Sequence, residues 1–72
     1  MNTIEGRITV VQEDRFRLGT DEGRSLLLTL SHRANVAGDD LRDLARARRR
    51  VIVEYDGDPG LSSGVASLVR TR

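Results

Sequence analysis

The chain contains no cysteine and no lysine, and its only aromatic residues are Phe16 and Tyr55. Without cysteine, neither a disulfide nor a thiolate metal site can hold a small fold together. Without a long apolar run there is no candidate membrane-spanning helix. Met1-Asn2-Thr3-Ile4-Glu5 does not read as a secretory leader, so the cytoplasm is the expected location. Seventy-two residues suit one domain, here expected over 1–72, near the lower size limit for a chain that folds alone. A core this small calls for efficient closure, and a closed sheet supplies it while removing exposed edges.

With lysine absent, all twelve basic side chains are arginines, set against eleven acids for a net charge of +1. That balance carries no global nucleic-acid signal, so any case for one rests on where the arginines fall. Arginine's planar fork suits phosphate recognition, although a genome rich in arginine codons produces the same bias.

Alternation organises what is present. Arg15 to Ser31 places Phe16-Leu18 and Leu26-Leu28-Leu30 on either side of Thr20-Asp21-Glu22-Gly23, which predicts a hairpin with one buried face. Gly23 is expected to take a positive φ in the turn. Arg15, Arg17, Ser25, Leu27 and Thr29 then point outward. Upstream, Ile4 to Val11 reads as a strand with Ile4, Gly6, Ile8 and Val10 on one face and Glu5, Arg7, Thr9 and Val11 on the other. Gly6 inside it marks a bend or a close approach of backbones. Ser31 to Gly38 has no clean period and reads as a connection. From Asp39 the pattern turns helical: Asp39 or Asp40 is placed to cap, Leu41, Leu44 and Ala45 form a stripe, and Arg48 to Arg50 lie near the end where cations are favoured. Val51 to Tyr55 is a fourth strand, Asp56-Gly57-Asp58-Pro59-Gly60 a turn, and Val65 to Arg70 a fifth strand of mixed pattern.

The order strand-strand-strand-helix-strand-strand predicts an all-β fold with one short helix, a five-stranded OB-fold barrel whose helix covers an open end. An SH3-like barrel has five strands but does not call for a twenty-residue helical insertion between the third and fourth.

With the strands so placed, the chain resembles bacterial translation initiation factor one. Gly6 matches the Gly of that family's first strand. Phe16-Arg17-Leu18 with Glu22-Gly23 is similar to its "FRV…NG" hairpin, and Ser31 to the end of its "HIS". Val51-Ile52-Val53-Glu54 is similar to "VTVE", and Leu61-Ser62-Ser63-Gly64 to "LSKG". Arg70 and Arg72 lie near its terminal arginines. The resemblance implies an OB-fold and a ribosome- or translation-associated RNA-binding role. The family's basic segment after strand three corresponds to Ser31-His32-Arg33-Ala34-Asn35-Val36, with one permanent cation. Its Pro-Tyr-Asp after strand four corresponds to Asp56-Gly57-Asp58-Pro59.

OB-folds bind on the face of strands two and three and on the loops flanking it. The candidate nucleic-acid contacts there are Arg15, Arg17 and Arg24, with Arg7 on strand one. The alternative is a set of solubilising charges paired with Glu5, Glu13, Asp21 and Glu22. Arg46-Ala47-Arg48-Arg49-Arg50 is a second candidate surface, holding more cations than the helix end requires; the bland reading pairs them with Asp39, Asp40 and Asp43. Glu13, Asp14, Asp56 and Asp58 put acids at the groove's rim, where they repel phosphate. Stacking platforms are nearly absent: Phe16 has the inward register, and Tyr55, ambiguous at the end of a strand, is included among the candidate nucleic-acid contacts.

No enzyme is expected. Asp56-x-Asp58 lacks the further oxygens of a calcium loop, and His32 has no second metal-ligating neighbour in sequence. Ser62, Ser63 and Asp14 form no recognisable nucleophile-base set with it. No metal, cofactor or small-molecule substrate is implied. The expected partner is RNA or single-stranded DNA, with a protein partner as the alternative.

Overall fold

The computed structural model describes residues 1–58 and 63–72. Its elements are β1 (Asn2–Gln12), β2 (Arg15–Gly19), β3 (Ser25–Leu30), α1 (Gly38–Arg46), β4 (Arg50–Asp56) and β5 (Ser63–Thr71). The strands form a closed barrel in the order β1-β2-β3-β5-β4. This is a five-stranded barrel of the OB-fold type. Pro59, Gly60, Leu61 and Ser62, part of the expected turn and of the family resemblance, lie outside the described residues.

Closure depends on β1 serving two partners. Its first half, Asn2 to Arg7, pairs antiparallel with β4, and its second half, Arg7 to Gln12, pairs antiparallel with β2. At the changeover the backbones crowd: a Cβ placed on Gly6 would overlap the carbonyl oxygen of Gly19. The close approach expected of this glycine is therefore real. At the other seam β3 and β5 run parallel, pairing Leu27 with Ser63 through Leu30 with Ala66.

The interior is filled by the alternating residues: Ile8, Phe16, Leu18, Leu26, Leu28, Leu30, Val51, Val53, Ala66 and Val69 are buried. Leu41 of α1 is fully buried, and Leu44 and Ala45 pack against the same core. Burying a side chain of this size contributes about 1.5–3 kcal/mol, so the barrel rests on this one cluster.

Two register shifts change the sequence reading. In the β1–β2 ladder Ile8 faces Leu18 and Val10 faces Arg17, leaving Thr9 as an extra residue. Such a bulge reverses the facing of everything after it. Val10, expected inward, is therefore 48% exposed, and Val11, expected outward, packs on the core. In the β4–β5 ladder Glu54 faces Leu68 and Tyr55 faces Ala66, leaving Ser67 extra. That explains the mixed pattern of β5: Ala66 and Val69 both point inward, three residues apart.

The helix starts one residue earlier than expected and is capped differently. Ala37 holds the cap position and has no side chain to give, while Asp40, three residues on, accepts the Ala37 N–H at 2.8 Å. Asp39 pairs instead with Arg42 at 2.8 Å. At the other end, Arg48 N–H donates to Ala45 O and Arg49 N–H to Leu44 O. This is a Schellman closure, with Arg48 at φ 53 in the left-handed region where glycine is usual.

The connection before α1 is anchored by one side chain. Asn35 donates through Nδ2 to Val69 O and accepts the Val69 N–H on Oδ1, both at 2.8 Å. It acts as a single residue of extra strand beside β5.

Candidate nucleic-acid interface

The arginines separate into three groups. The first lies on the outer face of β1, β2 and β3. Arg15 and Arg17 alternate with buried Phe16 and Leu18, so strand geometry aims both outward. Register places Val10, Arg17, Leu27 and Ser63 in one row across the sheet, and Gln12, Arg15, Thr29 and Val65 in the next. Val10, Leu27 and Val65 are exposed, so the face combines two cations with three aliphatic side chains. A shallow groove of about 150 Å³ runs over it, lined by Val10, Gln12, Arg15, Phe16, Arg17 and Leu27. Arg17 Nη1 donates to Ser25 Oγ at 3.3 Å, which fixes the side chain along the sheet. No carboxylate among the described residues forms an ion pair with Arg15 or Arg17. Glu13, at φ 55 in the β1–β2 turn, lines an open depression with Gln12, Asp14 and Arg15.

The second group is neutralised. Arg7 and Arg50 are cross-strand partners on β1 and β4. Asp21 from the β2–β3 turn lies between them, 2.8 Å from Arg50 and 3.8 Å from Arg7. Glu5 takes Arg50 at 3.3 Å and Arg72 at 2.7 Å. The Arg72 hydrogen bonds, seconded by Arg50, hold the Glu5 carboxyl below its ordinary range. The hydrogen bond from Arg50 does the same to Asp21, and Asp21 in turn raises Arg50. Arg24 lines an open depression of about 440 Å³ at this rim together with Glu5, Thr20, Asp21, Glu22 and Arg50. The mixed charge of that depression offers no anion-selective surface.

The third group is the helix end. Arg46 closes α1, and Arg48 and Arg49 sit on the exposed Schellman turn. The helical acids do not reach them: none of the three forms an ion pair with a carboxylate among the described residues.

Tyr55 needs correcting as a contact residue. Its ring is 3% exposed and part of the core, facing Asn2 on β1 and Ala66 on β5 in register. Phe16 is 1% exposed, as its inward register predicts. The face therefore has no aromatic platform. Of the acidic rim, Asp56 is in register with Val65 and so lies at one end of the face.

Arg15 and Arg17 face outward, as strand alternation predicts, whereas Val10 faces outward against its expected inward register. No local signal marks the bulge that exposes it. Among the described residues no group of three or more side chains is arranged to hold a metal ion, and no helix is long and apolar enough to cross a membrane. No protein-family model, curated protein or solved structure matches the chain.

Proposed function

We propose that the chain is a small OB-type module that binds RNA or single-stranded DNA weakly on the outer face of β2 and β3. One observation carries the reading. Among the described residues, carboxylates neutralise Arg7, Arg50 and Arg72 at the rim but form no ion pair with Arg15 or Arg17 on the face. Solubilising charges would gain from the acids nearby. A pair of cations aimed the same way, neither ion-paired with a carboxylate among the described residues, suits a phosphate backbone. With no ring to stack on, contact to bases is limited to Val10, Leu27 and Val65, so binding is carried by charge and declines steeply with salt. The resemblance to initiation factor one supports a translation-associated setting in the cytoplasm, and the role is binding without catalysis.

The test is a titration of amide-labelled protein with mixed-sequence single-stranded RNA at low and moderate salt. Shifts at Arg15, Arg17 and their neighbours are expected, lost in the double variant Arg15→Ala, Arg17→Ala. An unperturbed face at low salt removes the nucleic-acid reading.

A protein partner is the second reading, favoured by the aliphatic content of the same face: Val10, Leu27 and Val65 are 48%, 39% and 47% exposed. Such a partner would engage Val10 and Leu27 as anchors. Its binding would then be lost in Val10→Ser with little dependence on salt, the reverse of the nucleic-acid expectation.

A further inference from the structure

The three groups of arginines neighbour one another on the barrel surface. On β2 the outward positions are Arg15, Arg17 and Gly19. Gly19 is in register with Arg7 of β1, and Arg7 with Arg50 of β4. Arg50 is joined through Arg49 to Arg48, which is exposed on the turn after α1. From strand spacing and rise, Arg17 and Arg50 lie about 12 Å apart. Because β4 runs in the same direction as β2, the segment from Arg50 back to Arg48 turns toward the Arg17 end, so the file is bent at Arg7 and Arg50.

Two features of this file call for a ligand. Arg48 holds the left-handed conformation at φ 53, where a Cβ is unfavourable and glycine is the usual residue. Its side chain pairs with no carboxylate among the described residues. A charged residue at a strained and exposed position, with no ion-pair partner among the described residues, fits a contact made to something else. Midway along, Asp21 bridges the cross-strand pair Arg7 and Arg50 from a turn and remains 62% exposed at its side chain. An anionic group held between two adjacent guanidinium groups occupies the place of a phosphate.

We infer that one nucleic-acid backbone follows this whole file, from Arg15 and Arg17 through Arg7 and Arg50 to Arg48 and Arg49, with Asp21 as a resident counter-anion that the phosphate displaces. This rests on the proposed nucleic-acid function and extends it. It defines one continuous, bent path. It also makes Asp21 an internal brake on affinity.

The experiment measures affinity of the full chain for unstructured RNA oligomers of four, eight and twelve nucleotides across a salt series. Affinity should rise steeply between four and eight nucleotides and little beyond. Arg48→Gly, which suits the turn and keeps the fold, should reduce the salt slope by about 0.7 and weaken low-salt binding of the eight-mer roughly threefold or more. Arg48→Lys should retain the slope. Asp21→Asn should bind more tightly than the parent with a steeper slope, because Arg7 loses its carboxylate partner and Arg50 keeps only Glu5. An unchanged slope in Arg48→Gly, or no gain in Asp21→Asn, overturns the path. If Arg15→Ala, Arg17→Ala still abolishes binding in that event, the face itself stands. No binding by the parent protein at any length overturns both readings.

Discussion

Gly6 and Arg48 show opposite relations between a residue and its backbone. Gly6 is where β1 leaves one partner strand for another, and the carbonyl of Gly19 occupies the space a side chain would need. Backbone cannot yield as a flexible side chain does. Gly6→Ala is therefore expected to destabilise the barrel by about 2–3 kcal/mol despite the better strand propensity of alanine, readable in urea unfolding. Arg48 stands where glycine belongs: at φ 53 its Cβ opposes the turn while its backbone completes the Schellman bonds. Arg48→Gly should stabilise the chain by about 1 kcal/mol, seen as a higher melting temperature. Gain of stability with loss of binding in one variant would separate the residue's two roles.

Elements here are joined by contacts that local pattern does not announce. α1 is a short helix whose inward stripe, Leu41 with Leu44 and Ala45, docks on the barrel. A helix of nine residues has little stability of its own, so docking and end closure decide whether it forms. The preceding connection is held to β5 by Asn35, whose amide satisfies both the N–H and the carbonyl of Val69. Asn35→Ala leaves two partly buried backbone groups without partners and should cost about 2 kcal/mol. Asn35→Asp should cost at least as much, because the oxygen that replaces Nδ2 opposes the Val69 carbonyl oxygen instead of donating to it. Hydrogen exchange at Val69 distinguishes a local release of this tether from global loss of stability.

For the molecule as a whole, the charges fasten the ends of the chain to its middle. Glu5 binds Arg50 and Arg72, and Asp21 binds Arg50 and Arg7, so the network joins β1, the β2–β3 turn, β4 and the end of β5. Both carboxyls are held below their ordinary values by these arginines. A depressed carboxyl contributes stability that is complete above its unfolded value and lost as pH falls through the folded one. Thermal stability should therefore decline from about pH 5 downward, and the double variant Glu5→Gln, Asp21→Asn should show a shallower decline. The groups are solvent-accessible, so raising the salt concentration should reduce the difference between parent and variant. A variant that tracks the parent at every pH would assign the acid sensitivity elsewhere.

The order of elements, the inward residues of β2, β3 and β4, the need for Gly6 and the outward aim of Arg15 and Arg17 are all readable from sequence. Period-two alternation, turn residues and helical spacing are properties of a few consecutive residues, and each survives whatever the rest of the chain does. The tertiary structure alone decided which way Val10 and Val65 face. A bulge belongs to a pair of strands, and only the ladder shows that Thr9 and Ser67 are the extra residues. It also decided that Tyr55 is core rather than platform, through the barrel closing over it. Above all it decided which arginines are engaged. Glu5 meets Arg72 across 67 residues of chain, and the file from Arg15 to Arg48 exists only because β2, β1 and β4 lie side by side. Charge partnership depends on distance in space, and a nearly neutral sequence does not reveal which cations the fold leaves unpaired.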